Sequence, residues 1–214
     1  MENFKTVLKS ETAEVLEKKS RFISYVYHVE DEENIEKLIK EMRRKYHDAR
    51  HVCFAWRIIK DGQVIERASD DGEPSGTAGA PMLSILKKEN LCNILILVIR
   101  YFGGILLGTG GLVRAYSEAT QKVIEKSKIV IMTNGVEIEV KLEYSNLDIF
   151  KYYCKNNDIN IINIQYLDDI IIKVEMETYV KDKMLKEFET KTLKIKEYKI
   201  IGEKYIAKNV EKYT

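Results

Sequence analysis

The stretch VIRYFGGILLGTGGLVRAYSEA, Val98–Ala119, decides how the chain reads. An apolar run from Ile94 to Ile99 leads into it and an amphipathic segment leads out. A buried strand, a glycine loop and a helix therefore follow one another. Five of the chain's 11 glycines fall between Gly103 and Gly111, with Ile105, Leu106 and Leu107 in their midst. A loop that only holds phosphate would not need those apolar residues, and a loop that only turns the chain would not need five glycines. The expectation is that the glycines allow close packing and positive φ angles, while Ile105 to Leu107 anchor the loop in the core.

Working outward, the helix is expected from Gly111 to about Ser127, burying Leu112, Ala115, Tyr116, Ala119 and Val123. Upstream, SRFISYVYHV has the β-branched and aromatic content of a strand. DEENIEKLIKEMRRKY places Ile35, Leu38, Ile39, Met42 and Tyr46 on one helix face, with acids in its first turn and bases in its last. HVCFAWRIIK and QVIERAS flank Asp61-Gly62 as a hairpin. A second glycine-rich loop, SDDGEPSGTAGAP, Ser69–Pro81, then leads to a helix opened by Pro81.

A composition break falls near MTNGVE. All eight arginines lie at or before Arg114, whereas 14 lysines and no arginine follow Asn134. Asn134-Gly135 reads as a turn, so a domain boundary is expected at Met132, dividing residues 1–131 from 132–214. The second part runs strand, helix, two strands joined at Asp168-Asp169, helix, and a last strand LKIKEYKII. That βαββαβ order is ferredoxin-like, and the whole chain is α+β.

With 214 residues, 45% hydrophobic and 32% charged, the chain can bury a core without staples. A net charge of +1 excludes nucleic-acid binding by bulk polycation. Cys53, Cys92 and Cys154 form no CxxC pair, so neither a zinc site nor a disulfide framework is expected, and a reducing compartment fits. The segment MENFKTVLKSETAEV lacks the apolar core of a signal peptide, and the longest apolar run is far too short to span a bilayer. A cytoplasmic protein with no membrane partner is expected.

Several chemistries fail on spacing. Gly103 and Gly108 have the outer spacing of a phosphate-binding P-loop, but Thr109-Gly110 stands where its lysine and hydroxyl residue belong. The dinucleotide fingerprint fails at its third glycine, where Val113 stands. Glycines directly before a helix still leave N–H groups open to an anion, and Arg100 and Arg114 flank them. In the second loop, Asp70, Asp71 and Glu73 sit beside Ser75 and Thr77. Their spacing is not that of a calcium loop, and Ser75 is not in a nucleophile elbow, so a solvated acidic turn capping the next helix competes with a functional loop. His51 and Cys53 share a strand face, and a half-buried strand with a small apolar Cys accounts for them. In the second part, the polar face carries Glu137, Glu139, Lys141, Glu143, Lys173, Glu175 and Glu177 and no aromatic pair, which argues against RNA stacking there. From Lys191 to Lys212 there are seven lysines and three glutamates, read as a lysine-protected strand edge.

RYFGGILLGTGGLVRAY, SDDGEPSGTAGAPML, KKSRFI and DARHVCFAW together resemble the IMPACT family of YigZ-type bacterial proteins. Arg100 to Gly104 is the most specific block, and the βαββαβ tail resembles the C-terminal domain of bacterial members. The resemblance implies an N-terminal two-layer α/β domain of the ribosomal-protein and GHMP-kinase-like type, followed by the ferredoxin-like domain. Eukaryotic members regulate translation under amino-acid starvation by binding the large activator of a translation-factor kinase. The resemblance thus implies a non-enzymatic regulator whose partner is a translation-machinery protein, the ribosome or RNA, with no cofactor and no metal. The alternative is a hydrolase or phosphoryl-transfer enzyme using the acidic loop with a divalent metal. The implied surface comprises Asp70, Asp71, Glu73, Ser75, Gly76 and Thr77 with Arg100, Gly103, Gly104, Thr109 and Arg114. Because an unpaired buried guanidinium is costly, Arg100 is expected to pair with one of the three loop carboxylates and tie the two loops together, leaving Arg114 to face an anion.

Overall fold

The computed structural model describes residues 3–208; Lys212 of the lysine-rich end lies outside them. The chain divides into two compact units, one over Asn3–Ile131 and one beginning at Met132.

In the first unit β1 (Asn3–Val7) is followed by β2 (Glu11–Glu17), β3 (Ser20–His28), α1 (Glu32–Lys45), β4 (His51–Lys60), β5 (Gln63–Ser69), α2 (Gly79–Lys88), β6 (Ile94–Tyr101) and α3 (Gly108–Lys126). Five of these strands form an antiparallel sheet in the order β2-β3-β6-β4-β5. The β4–β5 hairpin closes at Asp61-Gly62 as expected, with φ of 51° and 74°. β1 and β2 were not expected. The β2–β3 turn is made by Lys18 and Lys19 at φ 44° and 65°, residues that carry no turn signature in the sequence.

β6 explains the layering. Ile94, Ile96 and Val98 pack with α2 and α3, while Leu95, Leu97 and Ile99 pack with Ile35, Ile39 and Met42 of α1. The continuous apolar run is apolar because both faces of the strand are covered. Unit 1 therefore has three layers, not the two expected: α1 covers the face opposite α2 and α3.

The helices begin earlier than expected, α2 at Gly79 rather than Pro81 and α3 at Gly108 rather than Gly111. The plug does not form. Ile105 and Leu106 are 43% and 83% exposed, and only Leu107 packs against the core. α3 already starts at Gly108, so the short segment that remains cannot reach inward past the helix it precedes.

β7 (Ile129–Leu142) begins at the end of the first unit and continues into the second, where a 3₁₀ turn (Tyr144–Asn146), α4 (Leu147–Asn156), β8 (Asn160–Tyr166), β9 (Ile170–Glu177), α5 (Thr178–Glu189) and β10 (Glu197–Lys208) follow. β9 pairs antiparallel with both β7 and β8, and β10 also pairs with β7. Asn134-Gly135 is not a turn; β7 runs through it. Gly135 is needed for another reason: a Cβ there would lie 2.8 Å from the Ile206 side chain. The last strand begins at Glu197, four residues beyond the expected Leu193, which is buried in the core. Val136, Ile138, Val140 and Leu142 face that core, and the opposite face is laced with ion pairs, Lys204 to Glu137 at 3.0 Å and to Glu175 at 2.7 Å among them.

Candidate functional site

The acidic loop, the start of β4, the end of β6 and the start of α3 converge in unit 1. Arg100, near the end of β6, is 6% exposed, and its Nη1 donates to Glu73 Oε1 at 2.7 Å. The Tyr116 hydroxyl on α3 donates to the same oxygen at 2.8 Å. The guanidinium carbon lies 5.5 Å from the Phe22 ring centroid and 5.6 Å from that of Phe102, so cation–π contact flanks the ion pair. Arg100 thus ties the two glycine loops together through Glu73.

Asp70 does a different job. Its Oδ1 accepts from the N–H groups of Ala78 and Gly79 at 2.9 and 2.8 Å, and its Oδ2 from Gly76 at 2.8 Å. Burial pushes its pKa up, but the three backbone donors outweigh that and hold it below the ordinary carboxylate value. Asp70 is the anion at the N-terminus of α2, and the chain supplies it. Gly79 must be glycine here, since a Cβ would stand 2.7 Å from the Ser69 nitrogen.

Asp71 accepts from Arg43 at 2.6 Å and from the Val52 N–H at 2.8 Å, and its carbonyl accepts from His51 Nδ1 at 2.8 Å. Thr77 is buried and donates to the Pro74 carbonyl at 2.7 Å. Ser75 is exposed. Gly104 takes a positive φ of 82°. Gly103 is required by contact: a Cβ would lie 2.0 Å from the Lys19 carbonyl carbon, and its N–H donates to Ser20 Oγ at 3.2 Å. Lys18–Ile23 and the glycine loop are therefore one piece of structure.

A cavity of about 580 Å³ opens beside these groups. Arg50, His51, Glu73 and Arg100 line its polar side, and Phe102, Leu106, Leu107 and Leu112 its apolar side. Gly108 and Thr109 line it at the start of α3. Among the described residues no side chain caps α3, and its first turn holds no acid. Of the expected surface, Glu73, Arg100 and Thr109 line the cavity, Asp70, Asp71, Gly76 and Thr77 build the loop behind it, and Ser75 and Arg114 are exposed and do not line it.

His51, Arg50 and Tyr116 are cavity or support residues that the sequence reading did not select. The DARHV block was the signal available for the first two, and Tyr116 reads as core because it is core, fully buried yet with its hydroxyl turned to Glu73. Burial pushes the Cys53 thiol up to about 12, and its sulfur lies 3.0 Å from the Asp70 carbonyl oxygen, an environment that favours the thiol over the thiolate.

The family model described as the Impact N-terminal domain matches residues 18–124, which hold every one of these residues. The chain belongs to the IMPACT family. IMPACT family member YvyE of Bacillus subtilis (strain 168) is 34% identical over 183 residues, 86% of this chain and 82% of that protein. IMPACT family member YigZ of Escherichia coli (strain K12) is 37% identical over 161 residues, 74% and 78% of the two chains. A crystal structure described as that of a hypothetical protein is 33% identical and superposes with a TM-score of 0.61, covering 91% of this chain and 97% of its own. No helix among the described residues is long and apolar enough to cross a membrane.

Proposed function

We propose that this IMPACT-family chain is a cytoplasmic, non-enzymatic regulator that binds a component of the translation apparatus, a protein, the ribosome or RNA, in stress or starvation control. Its working surface is the pair of glycine loops of unit 1, with Arg114 on the exposed flank of α3. The observation that carries the binding role is the state of the acidic loop. Asp70 and Asp71 are engaged by the chain's own donors, and Glu73 holds Arg100 and Tyr116. Carboxylates held in this way brace a surface and are poorly placed to take up a metal and activate water.

The finer fold assignments belong to the same proposal. Unit 1 is of the ribosomal-protein and GHMP-kinase-like type with α1 added as a third layer, and the domains divide at residue 131. The β7-β9-β8 order with β10 on β7 supports a ferredoxin-like second domain.

The test is a pull-down from lysate of the same organism, with RNase treatment as control. Translation components should be captured by the whole chain and lost with Arg114→Ala, a variant that keeps its fold. Capture unaltered by Arg114→Ala removes that residue from the surface, and no capture of any translation component removes the reading. Metal-dependent hydrolase turnover, of which cleavage of Xaa-Pro dipeptides is the case to assay, that survives purification and vanishes with Asp70→Ala or Asp71→Ala would replace it with the metal-enzyme alternative.

A further inference from the structure

We infer that the cavity of unit 1 binds a small apolar 2-amino or 2-hydroxy acid. This deepens the regulatory reading and rests on it only in taking the cavity as part of the working surface.

Three features of the lining specify the ligand. The first is an anion end. Gly108 and Thr109 bring the uncapped start of α3 to the cavity, where free N–H groups and the helix dipole favour negative charge. Arg50 lines the same cavity, is exposed, and makes no hydrogen bond or ion pair among the described residues. Arg100 does not add to this charge, because Glu73 neutralises it at 2.7 Å. One unpaired cation and a helix start match a single carboxylate better than the near-double charge of a phosphomonoester.

The second feature is an acceptor with nothing to accept from. The His51 side chain is only 10% exposed. Its Nδ1 faces the Asp71 carbonyl at 2.8 Å, and a carbonyl can only accept, so that nitrogen carries the ring proton. In the neutral ring Nε2 is then a lone pair. Among the described residues it has no hydrogen-bond partner, and Glu73 Oε1, 3.9 Å away, is itself an acceptor. An acceptor that opens on the cavity can take a donor from the ligand, an ammonium or a hydroxyl. The third feature is the apolar wall of Phe102, Leu106 and Leu112, which a bare inorganic anion would leave unused and an aliphatic side chain would fill.

The experiment titrates the 15N-labelled whole chain with L-leucine, 2-hydroxy-4-methylpentanoate, 4-methylpentanoate, leucinamide and inorganic phosphate. Amide resonances from Gly103 to Leu112 should move with one or both of the first two, and the tighter of these tells ammonium from hydroxyl. Removing the donor (4-methylpentanoate) or the carboxylate charge (leucinamide) should each weaken binding about tenfold. Arg50→Ala and Leu106→Ser, both at exposed positions, should do the same with an unchanged melting temperature. The inference is overturned if phosphate binds as tightly as the acids, if neither acid moves these resonances at about 10 mM, or if Arg50→Ala leaves the affinity unaltered. Acid binding without capture of any translation component keeps this inference and removes the regulatory reading; capture without acid binding does the reverse.

Discussion

The two glycine-rich loops of unit 1 look alike in sequence and end differently. Each leads into a helix, and each helix start offers unpaired N–H groups. At α2 the chain closes that start itself: Asp70 reaches forward and takes the N–H groups of Gly76, Ala78 and Gly79. At α3 nothing comparable happens. Leu107 stands at the cap position, no side chain among the described residues caps the helix, and its first residues line a cavity. A helix start filled by an internal carboxylate is a stability device, and one left open beside a cationic side chain is a place for something else. The difference cannot be read from the glycines, which occur in both. It lies in which loop owns an acid at the right reach.

The largest expected effect tests the brace between the loops. Arg100→Ala strands a buried Glu73 and should cost about 4 kcal/mol in chemical denaturation. A loss no larger than that of an exposed ion pair would break the account of Arg100 as the tie. Gly103→Ala comes next. Its Cβ would overlap the Lys19 backbone, which has no flexible end to move aside, so a loss of about 3 kcal/mol is expected. An alanine tolerated there would mean that the β2–β3 turn yields.

The comparison itself is sharpened by a matched pair. Asp70→Ala should cost about 2 kcal/mol, because it removes a cap and orphans three N–H groups. Thr109→Ala, at the open helix start, should cost less than about 0.5 kcal/mol. Equal losses would erase the distinction between the two starts. A pH series reads the same contrast. The folded-state pKa of Asp70 lies below the ordinary 3.8, so its contribution is present above that value. It is lost as pH falls from there through the depressed value. Wild type and Asp70→Asn should therefore converge in stability in that acid range, while Thr109→Ala should follow wild type at every pH.

Much of the chain was legible because its signals are local. The Asp61-Gly62 turn made the β4–β5 hairpin plain, the helical spacing of Ile35, Ile39 and Met42 made α1 plain, and the Arg100–Gly104 block pointed to the family. The need for a partner at Arg100 was also legible, since a guanidinium ending an apolar strand cannot stand alone. Two local expectations failed and one turn went unsignalled, each where long-range packing decides the outcome. Lys18-Lys19 turns without turn residues. Asn134-Gly135 sits inside β7, where Ile206 occupies the space above the glycine. Ile105 and Leu106 face outward although nothing in their composition says so.

The sequence by itself determined most of the elements from β3 onward and the cast of charged groups near the glycine loops. Periodicity, turn chemistry and the cost of burying charge act over a few residues and need no knowledge of the fold. Only the tertiary structure decided which carboxylate took which donor. Asp70, Asp71 and Glu73 are near-equivalent in sequence. The sheet brings α2 to the first, Arg43 and β4 to the second, and Arg100 with Tyr116 to the third. It also decided that His51 should keep an unpaired ring nitrogen at a cavity wall, because that follows from the meeting of β4, the acidic loop and the start of α3, which no local rule encodes.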